Sequence, residues 1–250
     1  MALNFNQRSF ARTVDQAAID EGLRAYMLKV YNYMATALLV TGCVAYFFGK
    51  ASMITNTQGK VVGMTDLGIL LFNSPLAFVI MLSPLALIFF GLRNIAAMSL
   101  SKAQTLFWVF SVLMGLSLAS IFIVYTEASI TKVFFICSAT FGAASIYGYT
   151  TKKDLSALGS LMIMGVIGLI IATIVNWFLN SEALGYLISY AGVLIFTCLT
   201  AYDTQKIKNI YSSADGNEVS GKKAIMGALS LYLDFINLFL FLLRIFGSRR

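Results

Sequence analysis

The sequence predicts an all-α membrane protein that crosses the bilayer several times. Of its 250 residues, 59% are hydrophobic and 12% are charged, and the mean hydropathy is +0.81. Soluble domains carry about 25% charged residues, so half that fraction indicates a chain that is mostly embedded in lipid. The apolar residues form seven stretches that are long enough to span a bilayer, and these account for most of the chain. We therefore predict no separate soluble domain.

The first 25 residues are a polar lead. They mix both signs of charge and lack the apolar core of a cleavable signal peptide, so we predict none. Thr13 and Gln16 have the spacing of a capping box, which predicts that a helix begins there and runs into the first span, about 27–48. We divide the chain into a polar cytosolic segment, 1–25, and a membrane domain, 26–250.

A long connection follows the first span. It covers about 49–75, contains an Asn-Thr-Gln-Gly turn sequence and is partly apolar, so we expect a loop that caps one mouth of the bundle. Ser74 and Pro75 suit an N-cap and a first helical position, and they predict the start of the second span. Pro84 predicts a kink in this span, which runs to about residue 92. The remaining spans are predicted at about 105–125, 130–149, 155–179, 184–202 and 227–247.

Positive charge predicts the orientation. If the N-terminus is cytosolic, the cytosolic side holds twelve Lys and Arg residues and the loops on the far side hold three. Because cytosolic loops of membrane proteins are enriched in these residues, we predict a cytosolic N-terminus. Arg244, Arg249 and Arg250 follow or end the last stretch. They leave open whether this stretch crosses fully, since a full crossing would place all three outside.

Two features predict how the helices pack. Small residues recur at helix-contact spacing in the fourth span, among them Gly142 and Gly148, and predict close helix approaches there. The last stretch is Leu- and Phe-rich on most faces, but one face carries small and polar side chains stepped by three and four residues. We call this face the polar seam; it comprises Gly227, Ser230, Asp234, Asn237 and Arg244.

Three charged residues are expected to meet in the cytosolic half of the bundle. Arg93 ends the second span and Asp203 ends the sixth on the same side, while Asp234 lies about 15 Å into the last stretch from that side. Two carboxylates close together in an apolar site cannot both ionise easily, so the pair holds one proton. The sequence contains no His. This pair, with Arg93 as a latch, is therefore our candidate for a pH-responsive element.

Each of the three residues also has a purely structural interpretation. Arg93 is placed where a positive-inside anchor stands. Asp203, near a helix end, could be a solvated cap. Asp234 is the hardest to explain this way, because a carboxylate in mid-helix costs about 2.5–3.5 kcal/mol on membrane-insertion scales.

The sequence predicts no cofactor and no metal site. The Asp pair offers oxygen ligands that suit Ca²⁺, but two carboxylates are few for a dedicated site. Residues 215–218 lack most of an EF-hand loop, and Cys43, Cys137 and Cys198 lie alone in separate apolar stretches. The net charge of +7 is spread over short loops rather than one patch, which argues against nucleic acid as a partner.

Four sequence motifs carry a resemblance to a known family. They are GLSLASIF at 115–122, YGYTTKKDLS at 147–156, AYDTQKIK at 201–208 and ALSLYLDFINLFLFLLRIFG at 228–247. With these motifs the chain, from about residue 26 onwards, resembles the bacterial branch of the transmembrane Bax inhibitor motif family. The resemblance implies a multi-pass protein of the bacterial inner membrane with seven transmembrane helices, the last one central and six wrapped around it.

The same resemblance implies a function. The family is associated with a pH-sensitive calcium leak, controlled by two aspartates and an arginine latch that fall on Asp203, Asp234 and Arg93. Ca²⁺ is then the permeant ion, the bilayer is the surrounding partner, and Ser230 and Asn237 support the polar seam. Under this interpretation the protein is an ion leak and not an enzyme.

Two other functions stay open. Two aspartates on adjacent helices are also found in aspartyl intramembrane proteases, but those enzymes carry Gly-x-Gly-Asp where this chain has Leu231-Tyr232-Leu233-Asp234. The missing glycines argue against close backbone approach of a substrate. The other possibility is a regulator that binds a membrane partner, such as a membrane protease, to which some bacterial relatives are linked.

Overall fold

The computed structural model is a helical bundle with one small β-hairpin. It describes the backbone of residues 3–56 and 61–250 and the side chains of residues 19–56, 61–91 and 94–250. The strands are β1 (Met53–Thr55) and β2 (Val61–Met64). The helices are α1 (Leu3–Ala51), α2 (Asp66–Phe72), α3 (Pro75–Ala86), α4 (Leu100–Leu118), α5 (Ile121–Val124), α6 (Glu127–Thr150), α7 (Ser156–Leu179), α8 (Glu182–Asn209) and α9 (Asn217–Phe246).

The helices are long and apolar enough for a polytopic membrane protein. Six spans qualify in the described part of the chain, formed by α1, by α4 with α5, and by α6, α7, α8 and α9. A seventh candidate is the pair of α2 with α3 and its continuation, which are bent by 57° relative to each other. The predicted all-α polytopic fold is confirmed.

The connection after the first span is folded and is not the loop that the sequence suggested. β1 and β2 pair antiparallel, with Met53 opposite Met64 and an irregular register after Ile54. Thr65 then caps α2 by accepting a hydrogen bond from Gly68 N–H at 3.1 Å. The strands are only three and four residues long, too short for an alternation of apolar and polar residues to be recognised in the sequence. Of the predicted turn at 56–59, residues 57–59 lie outside the described part of the chain.

The second span begins as predicted and is distorted after its proline. The Ser74 hydroxyl accepts a hydrogen bond from Leu76 N–H at 3.1 Å, which makes Ser74 the N-cap of α3. Pro84 cannot donate a backbone hydrogen bond, and the α-helix ends two residues later. The chain continues as a π-helical turn, Leu87–Gly91, and a 3₁₀ helix, Leu92–Ala97. The predicted kink is therefore a change of helix type.

The first helix begins earlier than predicted. α1 starts at Leu3, so Thr13 and Gln16 lie inside it and the predicted helix start at Thr13 is wrong. The sequence before residue 22 contains no Gly or Pro. Nothing in its composition therefore stops a helix from extending toward the N-terminus past Thr13.

The last helix is the centre of the bundle, as the resemblance implied. In its most apolar window 61% of the residues are buried, against 17–39% for the other five spanning helices. α9 packs mainly against α1, α4, α6 and α8. α3 packs on α4 and α7 packs on α8, so these two helices form an outer layer.

The C-terminal residues 247–250, the C-terminal strap, fix where α9 ends. Thr126 N–H donates to Ser248 C=O at 3.1 Å, and Arg250 N–H donates to the last residue of α5 at 3.0 Å. The Glu127 carboxylate pairs with Arg250 and with Lys50 at the end of α1. We call this region the Lys50 end of the bundle.

The start of α9 lies at the opposite end, the Asp215 end. Lys222 Nζ donates to Ala96 C=O at 3.0 Å, just before α4, and Lys223 Nζ pairs with Asp215 at 2.6 Å in the α8–α9 loop. α9 therefore runs the whole length of the bundle. The three final arginines consequently lie at the Lys50 end.

Two of the family motifs pack directly on each other. An added Cβ at Gly148 of α6 would lie 2.1 Å from the carbonyl oxygen of Ala201 in α8. Such a contact is impossible for any side chain, so Gly148 makes the close approach that the small residues predicted. Gly142 does not, because a Cβ there would meet nothing within 4 Å.

Candidate functional site

Asp234 is the buried charge at the centre of the bundle. It lies in α9 and is 5% exposed. Among the described residues, its Oδ2 atom has no hydrogen-bond partner. Burying a polar atom without a partner is costly, and native structures contain few such atoms. The prediction that Asp234 faces protein rather than lipid is confirmed by its burial.

The packing of α8 on α9 brings Asp203 close to Asp234. Gly227 packs against Ile207, and Gly192 packs against Phe241. In this antiparallel register Asp234 is level with Thr200, so Asp203 lies about one helical turn nearer the Asp215 end. The two carboxyl groups are near enough to interact electrostatically.

Asp203 is half-buried within α8, six residues before the helix ends. It is therefore not a solvated cap, which was one of its structural interpretations. The nearest cation on its own helix is Lys206, one turn further on, which also interacts with it electrostatically. Asp203 thus lies between the buried Asp234 and the charged Asp215 end.

The rest of the 201–208 motif holds the connection between α6 and α7. The Gln205 amide accepts from Leu155 N–H at 2.8 Å and donates to Lys153 C=O at 2.8 Å. Lys208 Nζ donates to Tyr149 C=O at 2.8 Å. These bonds fix the 151–155 connection against α8, and so anchor the helix that carries Asp203.

Arg93 is placed at the correct end by its backbone. It belongs to the 3₁₀ helix Leu92–Ala97, and the end of that helix contacts Lys222 of α9. Its side chain lies outside the described residues. The assignment of Arg93 as a latch therefore stays a prediction.

The other members of the polar seam have different surroundings. Ser230 and Asn237 are half-buried, and the Asn237 amide donates to Leu233 C=O at 2.8 Å within its own helix. Among the described residues, no hydrogen bond joins Ser230 or Asn237 to either carboxyl group. Arg244 is exposed at the Lys50 end, about 15 Å along α9 from Asp234.

Two buried hydroxyl clusters border the site, and sequence analysis missed both. Thr41 of α1 shares a 2.7 Å hydrogen bond with the fully buried Tyr232 of α9 and donates to Ser111 C=O of α4 at 2.9 Å. Ser145 of α6 shares a 3.0 Å bond with Thr204, next to Asp203. Isolated Ser and Thr in apolar stretches are a weak signal, since most bond only within their own helix.

The second of these clusters reaches the surface of the bundle. Ser145 also shares a short hydrogen bond with Tyr31 of α1. Tyr31 and Ser145 both line a cavity of about 1080 Å³ between α1 and α6. A chain of three hydroxyl groups thus leads from this cavity to the residue that follows Asp203.

The chemistry available at the centre is proton binding. Among the described residues Asp234 Oδ2 has no hydrogen-bond partner, and binding a proton would remove the buried negative charge. In the described part of the chain, no group of three or more His, Cys, Asp or Glu residues could hold a metal ion. Two carboxylates can line an ion path, but they are too few for a closed Ca²⁺ site.

Comparison with known proteins places the chain in a family. The family model described as "Inhibitor of apoptosis-promoting Bax1" matches residues 23–250. "Uncharacterized protein RP147" of Rickettsia prowazekii is 46% identical over 97% of this chain and 98% of its own length. "Inner membrane protein YbhL" of Escherichia coli is 44% identical over 92% of this chain and 94% of its own length. The chain therefore belongs to the Bax1-I family of membrane proteins.

Proposed function

We propose that this protein is a pH-sensitive Ca²⁺ leak of a bacterial inner membrane, with its N-terminus in the cytosol. The observation that carries the proposal is Asp234 Oδ2, which is buried at the centre of the bundle close to Asp203 and has no hydrogen-bond partner among the described residues. Ionisable residues inside a membrane protein are expensive and usually functional. The membrane named for YbhL supports the location.

Gating follows from the charge on the aspartate pair. A guanidinium binds an ionised carboxylate strongly and a protonated one weakly. If Arg93 holds the pair in the closed state, the latch is strongest at higher pH, when the carboxylates are ionised. Proton binding releases it, so Ca²⁺ flux should rise as the pH falls.

The test is Ca²⁺ influx into proteoliposomes across roughly pH 5.5–8. Asp203→Asn and Asp234→Asn should flatten the pH dependence, and Arg93→Ala should raise the flux at the high-pH end. If wild-type protein passes no more Ca²⁺ than empty vesicles, the proposal fails.

Asp154→Asn is the matched control. Asp154 is exposed in the connection before α7 and accepts a hydrogen bond from Ser156 N–H at 2.9 Å. The side-chain and backbone hydrogen bonds from Ser156 hold the pKa of Asp154 below its usual range. It therefore stays ionised across the assay, and its replacement should leave the pH profile unchanged.

A second candidate is regulation through a bound membrane partner such as a protease. The cavity between α1 and α6 supports it, because the cavity is largely apolar, with Phe235 of α9 in its lining. Gly42 and Gly142 also line the cavity, and a Cβ at either would meet nothing within 4 Å. Gly42→Leu with Gly142→Leu should then abolish co-purification of a partner without destabilising the chain.

We propose no catalytic role for the aspartate pair. Leu231 and Leu233 stand where an aspartyl intramembrane protease carries glycines, and Leu231 is fully buried in the bundle. Cleavage of a membrane peptide by the purified protein, lost in Asp234→Asn, would contradict this.

A further inference from the structure

A polar cavity of about 450 Å³ lies at the Lys50 end, far from the aspartate pair. It is formed by the end of α7, the start of α8 and the end of α9. Arg244 and Arg249 line it, together with Asn176 and Glu182. It is separate from the apolar cavity between α1 and α6.

The two guanidinium groups in this cavity have unused donors. Among the described residues, neither Arg244 nor Arg249 makes a side-chain hydrogen bond or an ion pair, although Glu182 lines the same cavity. Arg250 behaves differently, because it pairs with Glu127 and donates to Tyr125 C=O at 3.2 Å. Each guanidinium carries five N–H donors. Two arginines and one glutamate leave one net positive charge for a ligand to neutralise.

The residues around the cavity leave space and free hydrogen-bond donors beside the guanidinium groups. A Cβ at Gly185 would lie 2.2 Å from Arg244 Nη2, so the guanidinium lies directly against α8 there and a side chain at 185 would displace it. Asn176 Oδ1 accepts from Ser181 N–H at 3.1 Å, which leaves the amide NH₂ of Asn176 free to donate into the cavity. Asn180, in the left-handed conformation with φ 48°, closes the tight α7–α8 connection.

The rim of the cavity indicates its depth in the membrane. Trp177 and Tyr186 line it and are 76% and 49% exposed. Exposed Trp and Tyr side chains are typical of the level of the lipid headgroups. With the N-terminus in the cytosol, as we propose above, the Lys50 end is the non-cytosolic side, where arginines are uncommon in membrane proteins.

From these observations we propose that Arg244 and Arg249 form a binding site for phosphate oxygens. Guanidinium groups bind phosphate through paired hydrogen bonds, and the single net positive charge matches a singly charged phosphodiester. The ligand is either the headgroup of an anionic phospholipid or a free phosphate ion. This site does not depend on the Ca²⁺ leak.

The experiment is thermal unfolding of the full chain in a neutral detergent, with increasing short-chain phosphatidylglycerol, phosphatidylcholine of the same chain length, or inorganic phosphate. Phosphatidylglycerol should raise the melting temperature of the wild type in a saturable way. The Arg244→Gln/Arg249→Gln double variant should bind at least about tenfold more weakly, since it loses paired charge-assisted bonds. Lys132→Gln removes an exposed charge outside the cavity lining and should bind as the wild type does.

Gly185→Ala keeps both charges but intrudes on the Arg244 guanidinium, and should also weaken binding. Stabilisation by inorganic phosphate that competes with the lipid identifies a free-phosphate site, and stabilisation by phosphatidylglycerol alone identifies a headgroup site. Equal stabilisation of wild type and double variant, equal stabilisation by phosphatidylcholine, or no stabilisation by any of the three compounds overturns the proposal.

Discussion

Replacing Gly148 by alanine should separate α6 from α8. The new Cβ would lie 2.1 Å from Ala201 C=O, whereas real Cβ atoms essentially never come within 3.0 Å of another heavy atom. The obstacle is backbone, so no side chain can turn aside and one helix must move by roughly 1 Å. That shift would lengthen the 3.0 Å hydrogen bond between Ser145 and Thr204 beyond its useful range.

The cost can be worked from these contacts. Overpacking of this kind costs about 1–3 kcal/mol and the lost hydrogen bond about 1 kcal/mol more. Alanine returns about 1 kcal/mol because it favours a helix over glycine. A net loss of about 2 kcal/mol should lower the melting temperature by about 4–8 °C for a chain of this size.

The assay is thermal unfolding of detergent-purified protein, followed by loss of the monodisperse species. Gly142→Ala is the matched control, because it lies in the same helix, gains the same helix propensity and would meet nothing within 4 Å. It should melt at or slightly above the wild-type temperature. If the two variants melt together, the close approach of α6 and α8 is not what Gly148 provides.

Two further predictions concern the polar contacts around the site. Gln205→Ala removes both hydrogen bonds that hold Leu155 and Lys153, at a cost of about 1–3 kcal/mol, so trypsin should cleave after Lys153 about tenfold faster. Gln205→Glu keeps the acceptor and should give an intermediate cleavage rate, and an unchanged rate in Gln205→Ala would show that these two bonds do not hold the 151–155 connection. Thr41→Val leaves the Tyr232 hydroxyl without its 2.7 Å partner and should lower the melting temperature by about 4–8 °C; Thr41→Ser should restore it, and failure to do so would point to packing of the methyl group.

The membrane-spanning helices can be predicted from the sequence because their signal, high mean hydropathy, is a property of whole stretches of about 20 residues. The ends of the predicted spans at 130–149 and 155–179 lie within three residues of the ends of α6 and α7. Capping chemistry located the start of α3 at Ser74 and Pro75, since an N-cap is a local interaction between neighbouring residues. The hairpin of β1 and β2 was missed because its strands are too short to show a period.

The part of the candidate site that could be predicted from the sequence is the part formed by charged residues, because charged residues are rare in the apolar stretches. An aspartate in an apolar stretch stands out, so the sequence alone singles out Asp234, which the structure buries. The hydroxyl cluster of Thr41 and Tyr232 could not be found the same way, because such residues are common in apolar helices and their partners are far apart in sequence. The C-terminal strap was hidden for another reason. Two of its contacts are hydrogen bonds between backbone groups, which form whatever the residue type, and its side-chain partners are more than a hundred residues away in the sequence.

The central position of α9 has a consequence for how the protein is made. The most buried helix of the bundle is also the one that the ribosome completes after all the others. At about 5–20 residues per second, α1 waits roughly 10–40 s in the membrane before α9, one of the two helices it packs against most extensively, exists. During that interval the nascent bundle lacks its central helix. Until α9 enters, Thr41 lacks its Tyr232 partner and keeps only its hydrogen bond to Ser111 C=O of α4, whereas Ser145 already has its partners in α1 and α8.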